Sequence, residues 1–264
     1  MKIILSASRR TDIPAFYIDW FMDRIAAGFF ETVNPYNQKK TRVPATPDHV
    51  HTIVFWSKNF SRFLSENYGE ALRAKGYHLF FHFTVNSEIA FLEPRLPPLP
   101  QRLEQAAALC QRFGPDTVSW RFDPICFFTG PDGRLGNNLT DFPEIAKQMA
   151  SFGVSRCITS FMDHYAKIKR RPRPWDEFRF IDPDMTKKIQ VLEHMSKIIA
   201  SLDMELHLCC EKEILSTLPK AIGVKASRCI SGNRIKEIAG GEVSLKKDTG
   251  QRIKQGCGCT VSTD

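Results

Sequence analysis

The stretch "SRFLSENYGEALRAKGYHLFFHFTV" (residues 61–85) has the pattern of a helix followed by a buried strand. The same order repeats directly after it, in "LPQRLEQAAALCQRFG" (residues 99–114) and "TVSWRFDP" (residues 117–124). The first segment of each pair has apolar residues at helical spacing, and the second is a short apolar run. Because neighbouring parallel strands need a crossover connection, usually a helix, this stretch predicts a parallel α/β sheet.

Apolar runs and helical patterns alternate outward from this stretch along most of the chain. Eight strands within about 240 residues favour a TIM-like (β/α)8 barrel, irregular after its second strand. We expect the barrel domain in residues 1–240 and a C-terminal tail, with Cys-x-Cys packing on the barrel mouth, in residues 241–264. A doubly wound open sheet is the alternative, although no Gly-rich phosphate-binding fingerprint follows the first strand. The predicted strands cover residues 2–8, 29–35, 51–58, 78–85, 117–124, 155–162, 204–210 and 225–231.

The composition is typical of a globular protein, because 42% of the residues are hydrophobic and 25% are charged. The sequence has no secretory signal pattern, and no apolar run approaches the ~18 residues of a membrane helix. We therefore expect a cytoplasmic protein without a membrane partner. In that compartment the eight cysteines are expected to be free thiols or metal ligands rather than disulfides.

The formal net charge of +8 is compatible with an anionic ligand or with nucleic acid. Part of this charge is concentrated in "KIKRRPRPW" (residues 167–175), where five of nine residues are basic. Such a segment is either a solvated Pro-rich loop or an anion-binding loop. The partner we expect is a small anionic or nucleotide-like substrate, and nucleic acid is the alternative.

Candidate catalytic residues are found where the predicted strands end, because parallel barrels carry their functional side chains at the C-terminal ends of the strands. These candidates are Asp12, Lys58, Arg121 and Asp123. Each has a structural alternative: a helix cap for Asp12, a surface loop for Lys58, and a mutual ion pair for Arg121 and Asp123, which lie two residues apart on one face of a strand.

Candidate substrate-binding residues lie at the same strand ends. Two adjacent guanidinium groups, those of Arg9 and Arg10, are costly at a barrel mouth unless an anion lies nearby. His82 lies within an aromatic-rich strand, where a histidine packed in the core is the alternative. The full candidate set is Arg9, Arg10, Asn34, Trp56, His82 and Ser160.

The cysteines divide into two groups by their surroundings. Cys110, Cys126 and Cys157 lie in or beside apolar segments and are expected to be small buried side chains. Cys209 is expected to pack on the opposite face of its strand from Cys210. Four others would converge if the tail folds over the barrel mouth, and four thiolates can hold zinc or an iron–sulfur cluster. These predicted metal ligands are Cys210, Cys229, Cys257 and Cys259.

Eight ordered motifs, from the first strand to the last residue, resemble the uncharacterised bacterial family named domain of unknown function 1848. They are "SASRRTDIPAFY", "NPYN", "VFWSKN", "FHFTV", "VSWRFDPI", "SFMDHY", "CCE" and "CGCTVSTD". Members of that family resemble radical S-adenosylmethionine enzymes in carrying a cysteine cluster, at the C-terminus rather than the N-terminus. They continue to a Cys-x-x-x-Cys-x-x-Cys-like segment that is absent from this sequence, which argues against S-adenosylmethionine as a cofactor here. The positions of Cys210, Glu211, Cys229, Cys257 and Cys259 match the family.

Taken together, the residues and the resemblance predict an α/β-barrel protein that binds an iron–sulfur cluster or zinc. The resemblance implies an enzyme related to radical S-adenosylmethionine-type iron–sulfur proteins, and the basic residues imply an anionic substrate. One alternative is a zinc-stabilised, non-redox hydrolase or lyase that acts on a phosphorylated or nucleotide-like ligand. Another is a protein associated with nucleic-acid repair.

Overall fold

The main sheet of the protein is parallel throughout. The computed structural model describes residues 1–7, 9, 11–33, 38–163, 174–175 and 178–263. Their strands are β1 (Ile3–Ala7), β2 (Phe29–Val33), β3 (Lys40–Pro44), β4 (Val50–Ser57), β5 (His78–Thr84), β6 (Val118–Ile125), β7 (Phe127–Thr129), β8 (Leu135–Asn137), β9 (Arg156–Phe161), β10 (Phe180–Ile181), β11 (Glu205–Leu208) and β12 (Lys225–Ala226). Within these residues the main sheet has seven strands in the order β1-β4-β5-β6-β9-β11-β12. The protein is therefore mixed α/β with one large parallel sheet.

Helices connect most neighbouring strands of this sheet, as the alternating pattern predicts. The described α-helices are α1 (Ile13–Phe16), α2 (Ile18–Ala27), α3 (Ser61–Ser65), α4 (Tyr68–Ala74), α5 (Leu99–Phe113), α6 (Phe142–Ser151), α7 (Met185–Ala200), α8 (Lys212–Thr217) and α9 (Gly232–Ala239). Three short 3₁₀ helices span Pro115–Thr117, Lys220–Ile222 and Ile253–Gln255. Among these described helices, none is both long enough and apolar enough to cross a membrane.

The core explains why these segments become strands and helices. Phe55 of β4 and Phe81 of β5 project from one face of the sheet and pack against Phe63 of α3, with 5.0 Å between the ring centroids of Phe55 and Phe63. On the other face, Val54 and Phe80 belong to a second apolar cluster that also contains residues of α9 and the tail. Both faces of β4 and β5 are thus buried, which accounts for their continuous apolar runs.

The predicted second strand is not part of the main sheet, so the expectation of eight barrel strands is wrong at this position. β2 pairs with β3 in a separate antiparallel hairpin. The physical reason lies in its sequence, because Glu31, Thr32 and Val33 are exposed and only Phe30 is buried. A strand whose last three residues are exposed suits a hairpin better than a sheet covered on both sides.

The C-terminal tail is hydrogen-bonded to the first strand of the main sheet. The Thr263 amide donates to the Ile4 carbonyl over 2.9 Å, and the Ser6 amide donates to the Thr263 carbonyl over 2.6 Å. Further back, the Thr260 amide donates to the Ile230 carbonyl, which follows β12, over 2.8 Å. The tail therefore runs between β1 and the segment after β12, the two ends of the main sheet.

We predict that Thr260→Val destabilises the protein by about 2 kcal/mol, because the buried Thr260 hydroxyl accepts a 3.0 Å hydrogen bond from the Gly232 amide. Valine has nearly the same volume and cannot accept this bond. The free energy of unfolding in urea measures the effect. Thr217→Val, the same change on an exposed helical surface, is the matched control and is expected to stay within about 0.5 kcal/mol of wild type. Equal effects at the two positions would contradict a docked tail.

Candidate functional site

Five cysteine thiols meet at the C-terminal end of β11. The Cys209 Sγ lies 3.4 Å from the Cys229 Sγ and 3.7 Å from the Cys210 Sγ. Cys257 hydrogen-bonds with Cys210 and Cys259, and Cys259 also hydrogen-bonds with Cys229. The four predicted metal ligands are thus brought together from three separate segments. We call these five residues, Cys209, Cys210, Cys229, Cys257 and Cys259, the thiol cluster.

The presence of Cys209 in this cluster corrects the expectation that it packs on the opposite face from Cys210. Alternation between faces requires extended backbone on both residues. Cys210 instead has φ of 59°, in the left-handed region, while the Cys209 amide still continues the ladder by donating to the Thr159 carbonyl. The pairing with β9 therefore stops at Cys209, one residue beyond β11, and both thiols reach the same cluster.

Negative charge is concentrated on two members of the thiol cluster. Hydrogen bonds from Cys209 and Cys259, together with the nearby Arg121 guanidinium, hold the pKa of Cys229 well below its usual range. Hydrogen bonds from Cys210 and Cys259 likewise lower the pKa of Cys257. The pKa values of Cys209 and Cys259 are raised, because their thiols hydrogen-bond with neighbouring cysteines. Cys229 and Cys257 are therefore the members of the cluster whose surroundings favour the thiolate.

The fit of a metal to the thiol cluster depends on both chemistry and spacing. Thiolates are ligands for zinc and for iron–sulfur clusters, and four sulfurs at about 2.3 Å around one zinc lie about 3.8 Å apart. The Sγ–Sγ distances of 3.4 and 3.7 Å are close to that spacing. In the described part of the chain, however, no three His, Cys, Asp or Glu side chains are arranged so that they could hold a metal ion. Metal binding would therefore require thiol side chains to rotate.

An arginine and a carboxylate lie next to the thiol cluster. Arg121 donates to the Cys229 Sγ over 3.1 Å and also forms an ion pair with Asp123. The Ser160 hydroxyl donates to the other oxygen of Asp123. The mutual pairing of Arg121 and Asp123 is thus present, and it fixes the guanidinium beside the sulfur. Ser160 contacts the same carboxylate, so it belongs to this site.

The Trp56 ring contacts His82, Arg9 and Arg121, which were predicted to be site residues. Its ring stacks on His82 with 4.0 Å between centroids and 14° between planes. The guanidinium carbons of Arg9 and Arg121 lie 5.8 and 5.5 Å from the Trp56 ring centroid, within cation–π range. Arg9 also forms an ion pair with Asp248 of the tail, at 3.3 Å. Two cationic groups therefore flank one indole beside the thiol cluster.

His82 is buried and neutral. Its Nε2 lies 2.7 Å from the carbonyl oxygen of Cys229, which can only accept, so Nε2 carries the proton. Nδ1 is buried and has no hydrogen-bond partner among the described residues. Burial lowers the pKa of His82 to about 4, and the charge of Arg121 acts in the same direction. His82 therefore acts as an uncharged stacking ring for Trp56.

The other two catalytic candidates have structural contacts. The Asp12 carboxylate accepts hydrogen bonds from the Ser57 hydroxyl at 2.6 Å, the Ala15 amide at 3.1 Å and the Lys58 amide at 3.2 Å. It therefore caps α1, as the structural alternative predicts, and ties α1 to the end of β4; burial raises its pKa. Lys58 forms an ion pair with Glu93. These partners hold Asp12 and Lys58 at the end of β4 rather than at the thiol cluster.

The remaining predictions have mixed outcomes. Two predicted residues, Arg10 and Asn34, lie outside the described residues. So do residues 167–173, which make up most of the basic segment. The expected burial of Cys110, Cys126 and Cys157 is confirmed. Sequence reasoning missed Cys209, Asp248 and Glu93. The vicinal "CC" pair was a signal for Cys209, whereas the distant carboxylates pair with Arg9 and Lys58 only through the fold.

The fold and the site define a class: a mixed α/β protein whose parallel sheet carries a cysteine–arginine site at the C-terminal ends of its strands. A family model, described as Domain of unknown function (DUF1848), matches residues 4–264. The chain belongs to this family. A search of curated proteins finds no match to the sequence.

We predict that Asp12→Ala lowers the free energy of unfolding by about 3 kcal/mol, because it removes a helix cap and two bonds to the end of β4. The matched control is Asp184→Ala, since Asp184 caps α7 through one 2.8 Å bond from the Lys187 amide. That change is expected to cost about 1 kcal/mol. Both are measured by urea unfolding, and an equal cost would show that the bonds to Ser57 and Lys58 contribute nothing.

We predict that His82 makes the protein less stable in mild acid. The unfolded chain protonates this histidine near pH 6.5 and the folded protein only near pH 4, so stability falls as the pH drops through that window. The loss amounts to about 3 kcal/mol at pH 4. In His82→Phe, which keeps an aromatic ring for Trp56, unfolding free energies measured from pH 4 to 7 should show a correspondingly weaker pH dependence. An unchanged dependence would rule out the buried neutral histidine.

Proposed function

We propose that the protein is a metal-dependent enzyme whose thiol cluster holds zinc or an iron–sulfur centre and whose substrate is a small anion. The observation that carries this proposal is the meeting of five thiols from three separate segments beside the guanidinium of Arg121. Cysteines that only fill a core lie apart in apolar surroundings, as Cys110 does here. We therefore infer that the five hydrogen-bonded thiols serve a chemical role that requires the thiolate form.

The charge of Arg121 supports a thiolate metal centre. Several thiolates on one divalent ion leave the centre negatively charged, and burial makes that charge costly. The Arg121 guanidinium lies 3.1 Å from the Cys229 Sγ, so it offsets part of the charge. Asp123 holds the guanidinium in place through its ion pair. When bound, the metal would supply Lewis-acid or redox chemistry.

The spacing of the sulfurs favours a single metal ion over a cluster. The Cys209 Sγ lies 3.4 Å from the Cys229 Sγ and 3.7 Å from the Cys210 Sγ, near the value of about 3.8 Å for zinc. A [4Fe–4S] cluster holds each cysteine on a different iron, so its thiolates lie further apart, whereas a [2Fe–2S] cluster binds two cysteines on each iron. The alternative hydrolase or lyase would hold zinc and have no redox chemistry. Identification of the bound metal therefore distinguishes this alternative from an iron–sulfur enzyme.

For the anionic substrate, we propose Arg9 and Trp56 as the contact surface. Arg9 lies at the C-terminal end of β1, and its guanidinium stands over the Trp56 ring. Arg121 is already engaged by Asp123 and Cys229, so its role is to balance and position the thiolates. When an anion binds Arg9, the 3.3 Å contact between Asp248 and Arg9 would break, and the Asp248 carboxylate would be hydrated instead.

We also propose that the main sheet closes into a barrel, with the tail as the closing segment. The support is the pair of hydrogen bonds between Thr263 and β1 on one side and the bond from Thr260 to Ile230 on the other. In a closed barrel the inward side chains of β4, β5 and β6 face one another. Trp56, His82 and Arg121 lie on one face of these three neighbouring strands, and that face would line the interior of the barrel.

Elemental analysis of protein purified without oxygen tests the metal proposal, with about one equivalent of zinc or of an iron–sulfur centre expected per chain. Cys229→Ala and Cys257→Ala should lose most of the metal, since each removes a thiolate. Visible absorbance and acid-labile sulfide distinguish an iron–sulfur centre from zinc.

The matched control is Cys110→Ala, which removes a buried thiol on α5 outside the thiol cluster and should keep the wild-type metal content. Circular dichroism confirms that each variant is folded. Wild-type protein with neither iron nor zinc near one equivalent would overturn the proposal, as would cluster variants that retain full metal content.

A further inference from the structure

A cavity of about 530 Å³ lies between β1, α2 and the β2–β3 hairpin, outside the thiol cluster. Its size falls within the range of about 300–1,000 Å³ that is typical of small-molecule sites. Its described lining includes none of the cysteines, and none of the catalytic or substrate-binding residues predicted from the sequence. The cavity is therefore a second candidate site with its own chemistry.

Aromatic side chains form the floor and the rim of this cavity. Phe21 and Phe30 are buried and form the floor, with 5.2 Å between their ring centroids. Trp20 packs at 5.7 Å against Phe30, and Trp20 and Tyr17 remain 48% and 52% exposed at the rim. Flat walls of this kind complement a flat ring, because aromatic groups stack or meet edge to face.

The polar groups of the cavity argue for an uncharged ligand. Glu31 is the charged residue among the described lining residues, and its carboxylate forms an ion pair with Lys40 at 3.2 Å. Ser6, Thr11 and Thr32 contribute hydroxyl groups, which can donate or accept a hydrogen bond. An anionic ligand would find no opposite charge among these described residues to replace its hydration, and a cationic ligand would have to compete with Lys40 for Glu31.

We propose that this cavity binds an uncharged, planar aromatic molecule of about two fused rings, with one polar substituent that hydrogen-bonds to the lining hydroxyls. The ring lies on Phe21 and Phe30, and Tyr17 and Trp20 cover it from the rim. Ser6 connects the cavity with the thiol-cluster side, because it lines the cavity and accepts a 3.1 Å hydrogen bond from the Trp56 indole. The proposal does not depend on a metal.

A matched pair of probes tests the shape requirement on the full-length protein. 2-Naphthol is planar and uncharged at neutral pH, whereas decahydro-2-naphthol has the same carbon skeleton and hydroxyl group but is saturated and puckered. Isothermal titration calorimetry and saturation-transfer NMR should show that 2-naphthol binds about tenfold more tightly or better. Equal affinity of the two probes, or no binding of 2-naphthol at millimolar concentration, would overturn the proposal.

Variants locate the binding to this cavity. Trp20→Ala and Tyr17→Ala each remove one rim ring and should weaken 2-naphthol binding about tenfold. Phe16→Ala is the matched control, because Phe16 is 74% exposed on the neighbouring α1 and does not line the cavity. Cys257→Ala should bind 2-naphthol as wild type does, which separates this test from the metal proposal. Loss of binding in Phe16→Ala, or retention in both rim variants, contradicts the assignment.

Discussion

Backbone hydrogen bonds from Thr263 to β1 and from Thr260 to Ile230 fix the position of the C-terminal tail. The bonds of Thr263 reach Ile4 and Ser6, the residues on either side of Leu5 in the first strand of the main sheet. A few residues earlier, Cys259 is thereby held against Cys229, which follows the last strand, and Cys257 against Cys210. The thiol cluster thus depends on long-range backbone pairing. Without it the two tail cysteines would lie on a polar segment with no fixed relation to the sheet.

Beside the thiol cluster, each positive charge near the Trp56 ring is balanced by a carboxylate. Arg9 and Arg121 both approach the Trp56 ring, and each guanidinium has a carboxylate partner in the fold. A third positive charge stacked on the same ring would be unfavourable, and His82 provides none because burial and Arg121 lower its pKa. The stack therefore combines a neutral imidazole, an indole and two compensated cations.

Local patterns predicted the parallel sheet, its helical crossovers and the strand ends that carry the site, because these depend on short-range periodicity and on the general geometry of parallel sheets. They failed where neighbours along the chain do not decide the outcome. The second predicted strand joined a hairpin because Glu31 and its neighbours need solvent. Cys209 entered the cluster because Cys210 adopts a left-handed conformation. Asp248 reaches Arg9 across 239 positions of sequence, a contact that no local pattern encodes.

Under the proposed function, the charges of the site would decide the order in which a metal and an anion bind. Each guanidinium is already paired with a carboxylate, and the surroundings of Cys229 and Cys257 favour thiolates, so the site attracts a cation more than an anion. A divalent ion would neutralise two thiolates. Each further thiol that loses its proton and binds the ion would add one negative charge. An anionic substrate is therefore compatible with this site only after the metal has bound, and only if few of the five thiols are ligands. The groups in this balance are Arg9, Arg121, Asp123, Asp248, Cys229 and Cys257.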